Sequence, residues 1–320
     1  MNNFFKLVYN ELFKIYIRKS TWAMYIILAG IIIGVGFLSN IDELSSKQYS
    51  DDNWRETLEE ENQELTKEME DAGEDSIFYD MNSNIIAENN YYLENDIQPD
   101  GYGAMQFVLE NQLLLSLVSL LTIIIAAGIV ANEFRWGTIK LLLIRPITRT
   151  KALLSKYAAV ILFAFFTLLF VLLFSYIIGL IFYGFGSFNP HMLVDDGNGL
   201  AYVSVLSEIV PAYGFKLVNL VMMATFAFAI STIFRNSALA IGVAIFLMMA
   251  ANPIMLYFSD RAWAKFILFA NTDLSQYTAG STPFMEGMTL GFSITVLIVY
   301  YLLFMALSWA FFTIRDIAGQ

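Results

Sequence analysis

Six stretches of this chain are apolar over a length that can cross a bilayer: 21–39, about 106–130, 157–182, 216–234, 238–258 and 288–312. Runs of about 18 or more apolar residues with few charges read as transmembrane helices, because only a helix satisfies its own backbone hydrogen bonds in lipid. Residues that are 58% hydrophobic, 28 Phe among them, exceed what one water-soluble core of 320 residues needs. The expected fold is therefore all-α: a polytopic membrane protein of six transmembrane helices. The first apolar run starts late and is too long for a secretory leader, so no cleavable signal peptide is expected.

The net charge of −11 divides unevenly. Residues 40–100 hold nineteen Asp and Glu against Lys47, Arg55 and Lys67, a balance of −16; the remaining fifteen basic and ten acidic residues leave +5. The chain thus reads as an acidic block, 40–103, set into a mildly basic membrane body. Within the block, Trp54, Leu58, Leu65 and Met69 form one helical stripe, and Phe78, Met81, Ile85 and Tyr92 form another. With a break at Ala72-Gly73, that spacing predicts a helical hairpin with facing apolar seams.

Residues 1–20 form an amphipathic helix candidate. Phe5, Val8, Leu12 and Ile15 recur near helical spacing beside Lys6, Lys14, Arg18 and Lys19, a pattern that suits the headgroup plane. Gly30 and Gly34 in the first span permit close helix approach, with packing inside the chain expected there. On the fifth span, Ala238 with Gly242 and Ala240 with Ala244 are small-residue pairs read the same way. Asp195-Asp196-Gly197-Asn198-Gly199 is a turn; it lacks the distal acid a calcium loop requires.

The segment 131–156 carries Arg135, Lys140, Arg145, Arg149, Lys151 and Lys156 against one acid, Glu133. Lys and Arg resist translocation, so this segment is expected on the cytoplasmic side, with both chain ends. The acidic block then lies outside. Gly137-Thr138 breaks the second span. Residues 139–144 are expected to form a short helix ending at Arg145-Pro146, because proline disfavours helix at the residue before it. Thr148 or Thr150 is expected to cap the third span.

Chemistry-bearing motifs are scarce. With no Cys and one His, His191, neither a disulfide nor a Cys or His metal site is expected. No Gly-x-x-x-x-Gly-Lys-[Ser/Thr], His-Glu-x-x-His or Gly-x-Ser-x-Gly occurs, and the spans are nearly free of ionisable residues at their centres. An enzyme, an ion-driven carrier and a charged-filter channel all need such groups. Nucleic acid is not an expected partner.

Glu133, Gly137-Thr138, Leu141-Leu142, Arg145-Pro146 and Arg149 resemble the E…GT…LL…RP.(S/T)R signature of type-2 ABC exporter permeases, and the six-span layout with an amphipathic N-terminal helix resembles that family too. The resemblance implies a bacterial plasma-membrane subunit that pairs with a second permease, expected to be an identical copy. Each permease would engage one separate ATP-hydrolysing subunit, which holds the ATP and Mg. Carried over, Glu133, Gly137, Thr138, Leu141, Arg145, Pro146 and Arg149 would couple to that ATPase. The implied activity is export of a lipophilic or amphipathic cargo, such as a peptide antibiotic. No cofactor is expected on this chain, and membrane lipid is its other partner. The long acidic block departs from the short loop of many members. It leaves room for a different reading, a membrane sensor or scaffold that binds a ligand or partner outside.

Overall fold

The computed structural model describes residues 2–45, 53–73, 76–138, 147–184, 190–195, 197, 199–278 and 281–314. Helix α1 is Asn2–Tyr16 and α2 is Lys19–Ser45. An antiparallel pair follows, α3 at Trp54–Ala72 and α4 at Ile77–Asn95. Helix α5, Ala104–Glu110, runs through a 3-10 turn into α6, Leu115–Arg135, and the two make one span. Helix α7 is Arg149–Tyr183. Strands β1 (His191–Asp195) and β2 (Leu200–Ser204) lead to α8, Val205–Phe234, and α9, Ser237–Phe258. Short helical turns, with α10 at Leu268–Thr272, precede α11, Leu290–Thr313. Six of these helical segments are long and apolar enough to cross a membrane, and the protein is a polytopic helical membrane protein.

Helix order follows from burial. In their most apolar windows, the α5–α6 span and α8 are each 61% buried, whereas α9 and α11 are 17% and 11% buried. The former are central and the latter present apolar sides outward, which is stable only against lipid or another apolar surface. Ile123, Ala126, Val130, Val160, Phe163, Ala224 and Phe228 fill the crossing of α6, α7 and α8. Helix α7 has 35 residues, about 52 Å at 1.5 Å per residue, so it outreaches a hydrocarbon core of ~30 Å. Its N-cap is Thr148, whose Oγ1 accepts from the Lys151 amide at 3.3 Å.

Close helix approach occurs at other glycines than those expected. A Cβ at Gly30 or Gly34 would meet open space, as it would at Gly242. One at Gly36 would press on Ile178 and Phe182, and one at Gly179 would lie 2.8 Å from the Ala104 backbone. Of the α9 pairs, Ala240 and Ala244 are fully buried. A methyl at Gly179 would press on the Cα, Cβ and carbonyl of Ala104, none of which can yield without moving the main chain. Gly179→Ala should therefore destabilise by about 1–3 kcal/mol, the range for overpacking. The thermal midpoint in detergent checks this, with Gly30→Ala as a silent control.

The α3–α4 pair keeps most of the expected apolar seam, with Leu65 and Met69 half-buried, and adds a polar ladder to it. Trp54 and Leu58 are buried at its base. Further out, Asn82 donates to Glu68 at 3.1 Å, and Asn89 donates to Glu61 at 3.3 Å and Asn62 at 3.0 Å. Both partners repeat every seven residues, two turns, so an amide–carboxylate ladder lies on one stripe of each helix. Ile85 and Tyr92 share that stripe and are half-buried. Phe78 and Met81 are 63% and 51% exposed.

Residues 191–204 bear out the turn at Asp195 and add strands on either side of it. The Asp195 turn belongs to an antiparallel β-hairpin, paired from His191↔Ser204 to Asp195↔Leu200. Asp195 accepts from the Gly197 amide at 2.8 Å, and Gly197 has φ +85, a value glycine tolerates without steric cost.

Candidate functional site

The helices alternate in direction, which gathers α1, the end of α6, the start of α7, the α8–α9 turn and the end of α11 at one end of the bundle. The acidic hairpin marks the other. The basic segment leaves from the α1 end at Trp136 and returns there at 147–149.

Helix α1 turns Val8, Glu11 and Ile15 inward against α7, and Phe5, Tyr9 and Phe13 outward. Its C-terminal carbonyls are met by α2: Thr21 Oγ1 donates to Ile15 O at 2.6 Å and Trp22 Nε1 to Tyr16 O at 2.9 Å. These bonds satisfy acceptors that a helix end leaves unpaired. A hydroxyl relay, Tyr16–Tyr25 at 2.9 Å and Tyr25–Thr167 at 2.8 Å, ties both helices to α7.

At the centre of this end sits Lys156, with 0% of the residue exposed. Its Nζ donates to Glu11 Oε2 at 2.8 Å and to Glu133 Oε1 at 2.5 Å. Lys14 Nζ, half exposed, reaches Glu11 Oε1 at 2.7 Å and Glu133 Oε1 at 3.4 Å. Two carboxylates and two ammonium groups thus join α1, α6 and α7. The charges balance, which is what lets them lie out of water. The second carboxylate oxygen of Glu133 is buried and finds no partner among the described residues. Beside the cluster lies a cavity of about 560 Å³, walled by Lys14, Arg18, Asn132, Glu133 and Trp136 among others.

Burial alone would raise the Glu11 pKa, but Lys156 and Lys14 outweigh it and hold the carboxyl below its ordinary 4.5. For Lys14, burial would lower the value, and Glu11 and Glu133 raise it above 10.5. A depressed carboxyl contributes stability above its unfolded value and loses it as pH falls through the folded one. A raised ammonium contributes below its unfolded value and loses it as pH climbs. The network should hold α1 most firmly between these limits. The thermal midpoint should therefore fall as the pH drops below about 4.5, and that acid limb should flatten in Glu11→Gln.

Around the cluster the other helix ends are pinned as well. Arg149 Nη1 donates to the Thr313 carbonyl at 2.8 Å, and Trp309 Nε1 to Thr150 Oγ1 at 3.0 Å, fixing α7 to α11. Arg235, in the left-handed region at φ +54, lays its guanidinium 4.3 Å over the Phe134 ring. Arg18 stands 5.9 Å from the Trp136 ring. Such stacking of a cation on a ring face is attractive. The start of the basic segment is a tight turn: Trp136 N bonds Asn132 O at 2.9 Å, and Gly137 N bonds Phe134 O at 3.2 Å with φ +67. Thr138 Oγ1 donates to the Glu133 carbonyl at 3.4 Å and is exposed.

Of the residues singled out from sequence, Glu133, Gly137, Thr138 and Arg149 lie together at this end. Glu133 faces inward to Lys156 and Lys14, and Arg149 is spent on α11. Leu141, Arg145, Pro146 and the short helix expected at 139–144 lie outside the described residues. Glu11 was not singled out, although it is the only acid before residue 40 and falls on the buried Val8–Ile15 stripe. A lone acid on the inward stripe of a basic helix demands a buried cation, and that was the available signal. No group of three or more metal-ligating side chains occurs among the described residues.

A family model described as "Protein of unknown function (DUF2705)" matches residues 75–318. The chain belongs to the DUF2705 family. It is 41% identical over 318 residues to "Uncharacterized protein YhcI" of Bacillus subtilis (strain 168), covering 98% of this chain and 99% of that one. It is 36% identical over 203 residues to "Uncharacterized membrane protein YdbK" of the same organism, covering 63% of this chain and 78% of that one.

Proposed function

We propose that this DUF2705 chain is the membrane-spanning subunit of an ATP-driven exporter in a bacterial plasma membrane, driven by a separate ATPase that docks on the basic segment 133–149. The observation that carries this reading is the buried cluster of Lys156, Glu11 and Glu133 at the root of that segment. A push delivered to a floppy loop dissipates. A push delivered to a segment whose two roots are clamped to each other and to α1 moves three helices as one body. The α1 end also collects the cations Lys6, Lys14, Arg18, Arg135, Lys151 and Arg235, which supports a cytoplasmic orientation. Two permeases, each with its ATPase, would alternate the opening of a pathway lined by aromatic and aliphatic side chains, suited to a lipophilic or amphipathic cargo.

The test is affinity isolation of the full chain from its native membrane under mild detergent. The expected result is a near-stoichiometric soluble chain that carries a Walker-type nucleotide site, and ATP hydrolysis in the isolated complex. A chain that comes away alone, with no nucleotide hydrolysis in the preparation, overturns the reading.

A further inference from the structure

At the hairpin end of the bundle, the last turns of α9 and the folded segment before α11 enclose a cleft of about 900 Å³. Its lining mixes apolar side chains, Leu256, Phe269 and Phe284, with polar ones, Asn252, Ser281 and Thr282, and one carboxylate, Asp273. The folded segment is built to hold its shape. Gln276 donates to the Ala270 and Asp273 carbonyls and accepts from the Phe284 amide, each at 2.8–3.0 Å. Asn271, fully buried, donates to the Lys265 and Ile267 carbonyls and accepts from Ser293 at 2.7 Å.

Asn252 is the informative residue. It lies within a membrane-spanning helix, is exposed, and its carboxamide finds no partner among the described residues. Pro253 beside it lacks the amide that would otherwise bond the Met249 carbonyl. An unpartnered carboxamide within a span is costly where it meets hydrocarbon. It is met when a polar head occupies the cleft, whose lining Asn252 joins. A site with an apolar lining and a few convergent polar groups is the usual form of a small-molecule pocket.

We propose that this cleft binds an amphipathic molecule, with its polar head on Asn252, Ser281 and Thr282 and its apolar tail along Leu256, Phe269 and Phe284. Both a diacyl lipid of the bilayer and a single-chain amphiphile have this chemistry. The site stands on the cleft alone; only its use as a port for exported cargo rests on the exporter reading.

The experiment reconstitutes the full chain, without any ATPase, in phosphatidylglycerol–phosphatidylethanolamine vesicles. Two tail-diazirine probes are compared, a diacyl phosphatidylglycerol and a lysophosphatidylcholine. The expected result is saturable cross-linking concentrated on α9 around 252–256 and on 269–284, competed by the unlabelled form of the same probe. Asn252→Leu is exposed and touches no core, and it should weaken the preferred probe about fivefold, the loss of one hydrogen bond. Preference for the diacyl probe identifies a lipid site, and preference for the single-chain probe a cargo-like site. Either supports the proposal. Non-saturable labelling spread equally over α2, α9 and α11, unchanged by Asn252→Leu, overturns it while leaving the ATPase isolation above unaffected.

Discussion

Lys156→Met is expected to cost the folded chain about 3–5 kcal/mol, the penalty for removing one partner of a buried ionic cluster. The distances give the reason. With the ammonium gone, Glu11 and Glu133 lose contacts of 2.8 and 2.5 Å and are left as acids with one half-exposed lysine, Lys14, between them. Either a carboxyl takes up a proton or α1 leaves the bundle. The thermal midpoint in detergent should fall steeply, and protease should reach α1 at temperatures where the native chain resists. A triple variant, Glu11→Gln with Glu133→Gln and Lys156→Met, removes all three charges at once. It should recover most of the loss, because an uncharged set of similar volume no longer strands a buried ion. A Lys156→Met chain as stable as the native one would show that the cluster does not hold α1 in place.

The second large effect concerns drive. If the chain is the exporter subunit proposed above, reversing Lys140, Arg145 and Lys151 to Glu should weaken binding of its ATPase about a hundredfold or more, since like charges brought together across an interface cost several kcal/mol. Arg149 is left intact for a structural reason. Its guanidinium holds the Thr313 carbonyl at 2.8 Å, so reversing it would loosen α11 and confuse release with unfolding. The expected outcome is a chain with an unchanged thermal midpoint that no longer co-purifies with an ATPase. Full retention of the ATPase would move the contact off this segment.

The spans were the most legible part of the sequence, because length and hydropathy alone report them. The helical pair in the acidic block could be read for the same reason, from periodicity. The polar ladder in its seam could not. Asn82 and Asn89 look like surface residues until Glu68 and Glu61 are placed opposite them, and pairing across two helices leaves no mark on either one. The Gly30–Gly34 pair misled because small residues permit contact without requiring it; Gly36 and Gly179 carry the close approaches, and their neighbours are distant in sequence. The β-hairpin hid inside a loop of glycines and acids, where the turn outweighed its short flanks. At the candidate site, Glu133 stood out by its place in a motif, yet its partners Glu11 and Lys156 lie 145 residues apart from each other. Burial of Lys156 depends on α1 folding back over α7, a tertiary event that a linear pattern of charges cannot express.

The claim on which the account depends is that the basic segment faces the compartment where ATP is. The chain has no cysteine, and Thr138 is exposed at the start of that segment. A Thr138→Cys chain in intact cells should therefore ignore a membrane-impermeant maleimide and react promptly once the membrane is permeabilised. Prompt labelling of intact cells would place the segment on the outer face and contradict the account.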